Sequence, residues 1–114
     1  MADIFEIVLT NDLFDKVEQG KAKYLVVLND NKVKTFKEKN ILTIKNEDDK
    51  VFQATISRIL QFEKVKDVID MLGKTSCGFG CRTNLDKIED FYTSLFSQEK
   101  ILKFGLVALE VVVG

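Results

Sequence analysis

The sequence predicts an α+β protein, a small mixed β-barrel with peripheral helices. Apolar stretches of strand length recur along the chain, and the longest, residues 51–62, follows the period-two pattern of a half-buried strand. Apolar residues at helical spacing occur near the start and again after that long strand. Strands with helices inserted at these two points are typical of a small barrel. The 114 residues are close to the commonest domain size, so we expect one domain over residues 1–114.

Five or six strands are expected, because β-branched and aromatic residues cluster in short runs bounded by turn residues. The second strand is apolar at both parities, which indicates cover on both of its faces. The third, at residues 32–36, has a ragged pattern and is expected at a sheet edge. The last ends in three valines and should be paired, since such a run invites aggregation at an open edge. The predicted strands are residues 4–9, 23–28, 32–36, 41–44, 51–62 and 106–113.

Helices are predicted where a capping residue precedes an apolar stripe at helical spacing. Thr10 or Asn11 can cap the first helix, and Gly20 suits its end. A second helix runs from Val65 to Leu72, and a further helical turn is expected around residues 98–103. Thr83 or Asn84 can cap the third helix. Its predicted buried stripe is Ile88, Phe91, Tyr92, Leu95 and Phe96.

One charged residue interrupts the apolar parity of the long strand. Arg58 shares the parity of Phe52, Ala54, Ile56 and Leu60, and this parity is expected to face the core together with Phe62. A charge cannot face an apolar core without a partner. Either a β-bulge turns Arg58 towards solvent, or Arg58 lies at a cleft with an anionic partner.

The composition excludes several classes of function. The chain has no His, which excludes Ser-His-Asp and Cys-His catalysis and every histidine metal site. We expect no metal and no cofactor. No apolar run approaches the roughly 20 residues that span a bilayer. Acidic residues near the first methionine do not fit an export signal, so a cytoplasmic location without a membrane partner is expected.

Residues 20–39 form the most basic segment of the chain. This segment contains six lysines and two acidic residues, whereas the whole chain has a net charge of −1. Clustered cations around an apolar strand indicate a surface that attracts anions, although lysines also keep an edge strand soluble. We therefore predict ligand-binding residues in this segment and in the long strand. They are Lys21, Lys23, Asn29, Lys32, Lys34 and Arg58.

One side of the second strand could line a cleft. Lys21, Lys23, Leu25, Val27 and Asn29 alternate onto this side. A cleft here would be apolar inside and basic at its mouth, which suits a ligand with an apolar body and an anionic head. The alternative is that neighbouring side chains fill the space.

Several phrases of the sequence resemble the ASCH domain, a family within the PUA-like barrel superfamily. The segment Gly-Lys-Ala-Lys-Tyr-Leu-Val-Val-Leu-Asn-Asp, residues 20–30, resembles the family's glycine and signature strand. Leu-Gln-Phe at residues 60–62 and the helix after it resemble the segment behind the central strand. Residues 103–110, Lys-Phe-Gly-Leu-Val-Ala-Leu-Glu, resemble the closing strand. The resemblance covers nearly the whole chain and implies a PUA-like barrel with RNA-related binding beside the signature strand.

The chain departs from the family at the positions that carry catalysis. The signature Lys, acid and Arg correspond to Ala22, Leu25 and Val27. Lys39 and Asn40 stand where the family often has Gly-Asp. Some ASCH proteins are amidohydrolases that act on acylated cytidines through a Lys, a Thr and a Glu of this strand. Because Lys23 replaces that Thr, no catalytic residue carries over.

These observations predict an ASCH-type domain that binds RNA or a nucleotide-like anion without catalysis. One alternative is a small amidohydrolase acting on acylated nucleosides through relocated residues such as Lys23, Tyr24 or Asp30. Another is a protein-interaction module. The sequence leaves open which ligand is bound and how many copies assemble.

The two cysteines, Cys77 and Cys81, flank the glycine-containing segment 78–80. Two thiolates without a His or a further Cys cannot complete a structural zinc site within one chain. A flexible loop would permit a reversible disulfide, whereas the simpler expectation is two free thiols.

Overall fold

A curled five-stranded sheet, half of a barrel, organises the structure. The computed structural model of the chain describes residues 4–113. The strands in this range are β1 (Ile4–Val8), β2 (Tyr24–Leu28), β3 (Ile41–Lys45), β4 (Val51–Phe62) and β5 (Leu106–Val113). Their order in the sheet is β1-β3-β4-β5-β2. The β1–β3 pair is parallel and the other three pairs are antiparallel, so the sheet is mixed. The predicted α+β fold class is confirmed.

Four α-helices follow the predicted positions. They are α1 (Asn11–Glu18), α2 (Val65–Leu72), α3 (Leu85–Phe96) and α4 (Gln98–Phe104). Thr10 caps α1, since its hydroxyl accepts a hydrogen bond from the Leu13 amide at 3.4 Å. Asn84 caps α3 in the same way, at 2.9 Å from the Lys87 amide. Gly73 ends α2, with a φ of 86° that favours glycine.

The predicted edge strand at residues 32–36 is wrong. Val33–Thr35 form a short 3-10 helix instead. The Asp30 carboxylate accepts a hydrogen bond from the Val33 amide at 3.0 Å, and such local side-chain bonds compete with strand formation. Val33 and Phe36, three residues apart, are both buried, and this spacing fits one helical turn but not a strand.

A β-bulge at Ser57 changes which side of β4 faces which core. Ile56 pairs with Val111 and Arg58 pairs with Glu110, so Ser57 is the extra residue. Before the bulge, Ala54 and Ile56 face the concave side of the sheet, as predicted. After the bulge, the even-numbered residues of β4 face the other side of the sheet. Leu60 and Phe62 therefore pack on the opposite side, so the prediction that they share one face with Ile56 is wrong.

Two hydrophobic cores lie on opposite faces of the sheet. The inner core fills the concave face, where α1 and the first 3-10 helix contribute Phe14, Val17, Val33 and Phe36. The outer core lies between the convex face and the helices α2, α3 and α4. Both faces of β2 and β5 are thereby covered, which explains their continuous apolar sequences.

The buried stripe of α3 is narrower than the sequence predicts. Ile88 and Tyr92 are fully buried, and the ring of Phe96 stacks on that of Tyr92 at 6.1 Å between centroids. Phe91 is only partly buried, although its ring contacts Phe79 at 5.5 Å. Leu95 is 52% exposed, so its predicted burial is wrong. The helix packs through positions four residues apart, and Leu95 lies outside that line.

Candidate functional site

A row of polar side chains crosses three neighbouring strands at the margin of the outer core. Tyr24 of β2 pairs with Glu110 of β5, and Glu110 pairs with Arg58 of β4. Residues in register on adjacent strands place their side chains on the same face. Lys23 directly precedes Tyr24, and its charge acts on Glu110. We call Lys23, Tyr24, Ser57, Arg58 and Glu110 the Arg58 patch.

The Glu110 carboxylate is the centre of the hydrogen bonds in the Arg58 patch. The Ser57 hydroxyl donates to Oε1 at 2.6 Å, and the Tyr24 hydroxyl donates to Oε2 at 2.8 Å. Arg58 donates from Nη2 to the Tyr24 hydroxyl at 3.2 Å and lies 3.5 Å from Oε2 of Glu110. The bulge places Ser57 and Arg58 on the same carboxylate, which a regular strand would not do.

These contacts keep Glu110 ionised and Arg58 positively charged. Hydrogen bonds from Ser57 and Tyr24, with smaller contributions from the charges of Arg58 and Lys23, lower the pKa of Glu110 below its ordinary value. The hydrogen bond to Tyr24 and the charge of Glu110 raise the pKa of Arg58. The Arg58 side chain is 55% exposed, so its guanidinium reaches solvent.

The lowered pKa of Glu110 predicts a loss of stability in acid. Its contribution is present above the pKa of an unfolded glutamate and disappears as the pH falls through the lower folded value. Replacing Glu110 by Gln should therefore lower the melting temperature at neutral pH. The difference from the wild type should shrink below about pH 4, the ordinary glutamate range. Thermal melts from pH 7 to pH 3 check this, and a difference that stays constant across the series would contradict it.

The structure separates the predicted binding residues into three groups. Lys21 and Lys23 are exposed just before β2, whose first residue, Tyr24, contacts Arg58. Lys32 and Lys34 are exposed on the turn and 3-10 helix that follow β2. Asn29 directly follows the last residue of β2, and its backbone amide donates a hydrogen bond to the Gly105 carbonyl at 3.0 Å. The basic segment is thus not one continuous surface.

Lys32 has a structural contact that accounts for its position. Its Nζ donates to the Glu6 carbonyl of β1 at 2.8 Å. The strand β1 lies at the edge of the sheet, where unpaired carbonyls would otherwise accept hydrogen bonds from another chain. This contact favours an edge-protecting role for Lys32.

The apolar side of β2 faces the inner core. Leu25 is 1% exposed, and Val27 packs against the same core. Ala22 is also 1% exposed and belongs to the inner core. Neighbouring side chains fill this space, as the alternative to an apolar cleft predicts.

A groove lies where β2 and β4 end, and its lining residue Gln61 follows Arg58 by three residues along β4. Its volume is about 750 Å³, and Asn29, Gln61, Phe62 and the segment 101–105 line it. Asn29 is the one predicted binding residue in its wall.

The sequence did not predict the hydrogen-bond partners of Arg58, and it did not predict the groove. Glu110 interrupts the otherwise apolar sequence of β5, which is the signal that could have drawn attention to it. Ser57 and Tyr24 carry no such signal, because their contacts depend on the position of the bulge and on the strand register. Gln61 resembles any solvent-facing strand residue in the sequence.

The two cysteines are free and differ in environment. Cys77 is buried in the outer core, and burial raises the pKa of its thiol to about 11. Cys81 is exposed. Among residues 4–113 no cluster of His, Cys, Asp and Glu side chains could hold a metal ion.

Thiol labelling should distinguish the two cysteines. We expect one thiol per chain, Cys81, to react with an aromatic disulfide reagent at pH 8, because the thiolate is the reactive form. Cys77 should react only after unfolding in denaturant. The Cys81→Ser variant is the control and should show no fast reaction. Two fast equivalents in the wild type would contradict the burial of Cys77.

Comparisons with known proteins identify the fold. The chain is similar to the crystal structure of hypothetical protein PH0355, with a TM-score of 0.85 and 22% identity over 97% of this chain and 99% of that one. It is also similar to the solution structure of protein PF0455 from Pyrococcus furiosus, with a TM-score of 0.76 and 20% identity over 96% of each chain. No protein-family model matches the sequence, and neither does any curated protein. In the described part of the chain, no helix is both long and apolar enough to cross a membrane.

Proposed function

We propose that the chain binds RNA or a nucleotide-like anion at the Arg58 patch and catalyses no reaction on it. The observation that carries the proposal is the exposed guanidinium of Arg58, which the bulge positions beside Tyr24 and Glu110. Arginine presents five donors in a planar fork that matches phosphate geometry. Arg58 uses Nη2 for its contacts with Tyr24 and Glu110, which leaves other donors for a ligand.

The surrounding charges support an anionic ligand. Lys21 and Lys23 are exposed just before β2, and the charge of Lys23 acts on Glu110. The Lys39 amide donates to the Ile56 carbonyl at 2.7 Å, which places a third lysine backbone beside the bulge. Glu38 and Glu110 are the acidic residues whose charges act on Arg58. The resemblance of residues 20–30 to the ASCH signature strand supports the same ligand class.

The state of Glu110 favours binding over proton transfer. An efficient general base has a pKa near the working pH, whereas the hydrogen bonds around Glu110 lower its pKa. The hydroxyl of Tyr24 is bonded to Glu110, and the Asp30 carboxylate caps the 3-10 helix. Two of the three relocated residues that a hydrolase could use, Tyr24 and Asp30, are thus engaged in structural contacts. Accordingly, acylated cytidine should not be hydrolysed above the rate of a heat-inactivated sample.

A salt titration tests the proposed function. Each phosphate contact on a single strand contributes about −0.7 to the slope of log affinity against log salt. Engagement of Lys21, Lys23 and Arg58 therefore predicts a slope of about −2, or a roughly 15-fold loss of affinity between 50 and 200 mM salt. Fluorescence anisotropy with a labelled single-stranded RNA measures this slope. Absence of binding at 50 mM salt would refute the proposal.

A further inference from the structure

The groove at the end of β2 and β4 has the size of a small-molecule site. Its volume of about 750 Å³ falls within the roughly 300–1,000 Å³ of ligand pockets. Asn29, Gln61, Phe62 and Gly105 lie at or beside the ends of the three consecutive strands β2, β4 and β5 of the sheet, and Phe104 is the last residue of α4. The walls are therefore built on regular elements of the fold, which favours a defined shape.

Two residues with amide side chains, Asn29 and Gln61, line this groove at the ends of β2 and β4, on either side of β5. Gln61 pairs with Val107 on β5, and the backbone of Asn29 is bonded to Gly105 just before β5. Among residues 4–113 neither side-chain amide takes part in a hydrogen bond with another residue. Each amide offers both donors and an acceptor, so together they can pair with a planar ligand edge that carries both.

Apolar surface stands beside these amides. Phe62 and Phe104 contribute aromatic rings to the lining, and Leu102 is 74% exposed. The Lys103 ammonium lies 5.2 Å from the centroid of the Phe104 ring. A flat apolar ligand would cover this surface, and aromatic rings are the usual partners on which nucleobases stack.

The charges around the groove balance. Lys64 and Lys103 line it together with Glu63 and Asp67, so it carries no net charge. A phosphate would gain little from such a site, whereas an uncharged polar heterocycle would meet no repulsion. The groove thus differs in chemistry from the Arg58 patch, which presents cations on the convex face.

We infer that this groove binds an adenine base, with Asn29 and Gln61 pairing with its edge. Asn and Gln side chains pair bidentately with adenine through one acceptor and one amino donor of the base. The inference rests on the proposed function for its ligand class. In this inference the groove recognises a base and not a phosphate.

Free adenosine tests the inference, since this nucleoside has no phosphate for the lysines. Titration into uniformly 15N-labelled protein should shift backbone amides of residues 29, 61–64 and 101–105, and raising the salt concentration should not weaken the effect. Uridine should bind at least about fivefold more weakly than adenosine. This affinity ratio corresponds to the smallest discrimination expected when one amide side chain pairs bidentately with a base. Gln61→Ala and Asn29→Ala should each abolish this preference for adenosine. Gln53→Ala is the matched control, an exposed glutamine on the same strand outside the groove.

The outcomes separate this inference from the proposed function. Absence of adenosine shifts at the groove, or an unchanged preference in Gln61→Ala and Asn29→Ala, would refute the base site even if RNA binds at the Arg58 patch. Adenosine binding at the groove by a protein that shows no salt-dependent RNA binding would uphold the groove and refute the proposed function. A folded spectrum of each variant shows that a loss comes from the missing amide.

Discussion

Neutralising the Arg58 patch is expected to remove most salt-dependent RNA binding. The variant Lys21→Gln/Lys23→Gln/Arg58→Gln lacks the three cations proposed to contact RNA phosphates, and its affinity at 50 mM salt should fall by about tenfold or more. The slope of log affinity against log salt should move from about −2 towards zero. Glutamine is chosen because a glutamate at position 58 would add a carboxylate beside Glu110, which pairs with that position.

A matched variant controls for net charge. Lys66→Gln/Lys87→Gln/Lys100→Gln removes the same three charges from exposed positions on α2, α3 and α4. This control should keep the wild-type slope within error. Equal losses in the two variants would mean that RNA responds only to overall charge, and the Arg58 patch would then have no specific role.

Replacing Phe14 by Ala is expected to cause the largest loss of stability. Phe14 is 2% exposed in the inner core, and its ring meets that of Phe52 edge-on at 4.8 Å between centroids. Removing a buried ring costs about 3–5 kcal/mol through lost burial and the cavity left behind. A domain of this size has only about 5–15 kcal/mol of stability, so much of it would be lost.

Urea unfolding of Phe14→Ala measures this loss. Leu95→Ala is the control, because Leu95 is 52% exposed and its truncation should change the stability by less than about 1 kcal/mol. A comparably small change in Phe14→Ala would contradict the role of α1 in filling the concave side of the sheet.

The regular elements could be predicted because local patterns determine them. β4 has the predicted bounds, residues 51–62, since its alternation and the acidic turn before it are visible in the sequence. The stop at Gly73 and the cap at Asn84 are also local signals. The wrong strand prediction at residues 32–36 also has a local cause. There the hydrogen bond from the Val33 amide to Asp30 outweighed a weak strand preference.

The candidate site could be predicted only in part, because it depends on register. The sequence marks Arg58 as an anomaly and allows a bulge beside it. It cannot show that Tyr24, Glu110 and Arg58 share one row, since that requires the alignment of β2 and β4 on β5. The dispersal of the lysines follows from the same cause. The lysines are close in sequence, but the chain changes direction at residues 29–36 and separates them in space.

Mapping of bound RNA tests the central claim, that the Arg58 patch is the anion site, most directly. A short single-stranded RNA is titrated at 50 mM salt into 15N-labelled protein, and the backbone amides are followed. We expect the largest shifts at residues 21–24, 57–59 and 110, and we expect them to be lost in Lys21→Gln/Lys23→Gln/Arg58→Gln. Saturable shifts confined to the turn at residues 31–39, or to the helices, would contradict it.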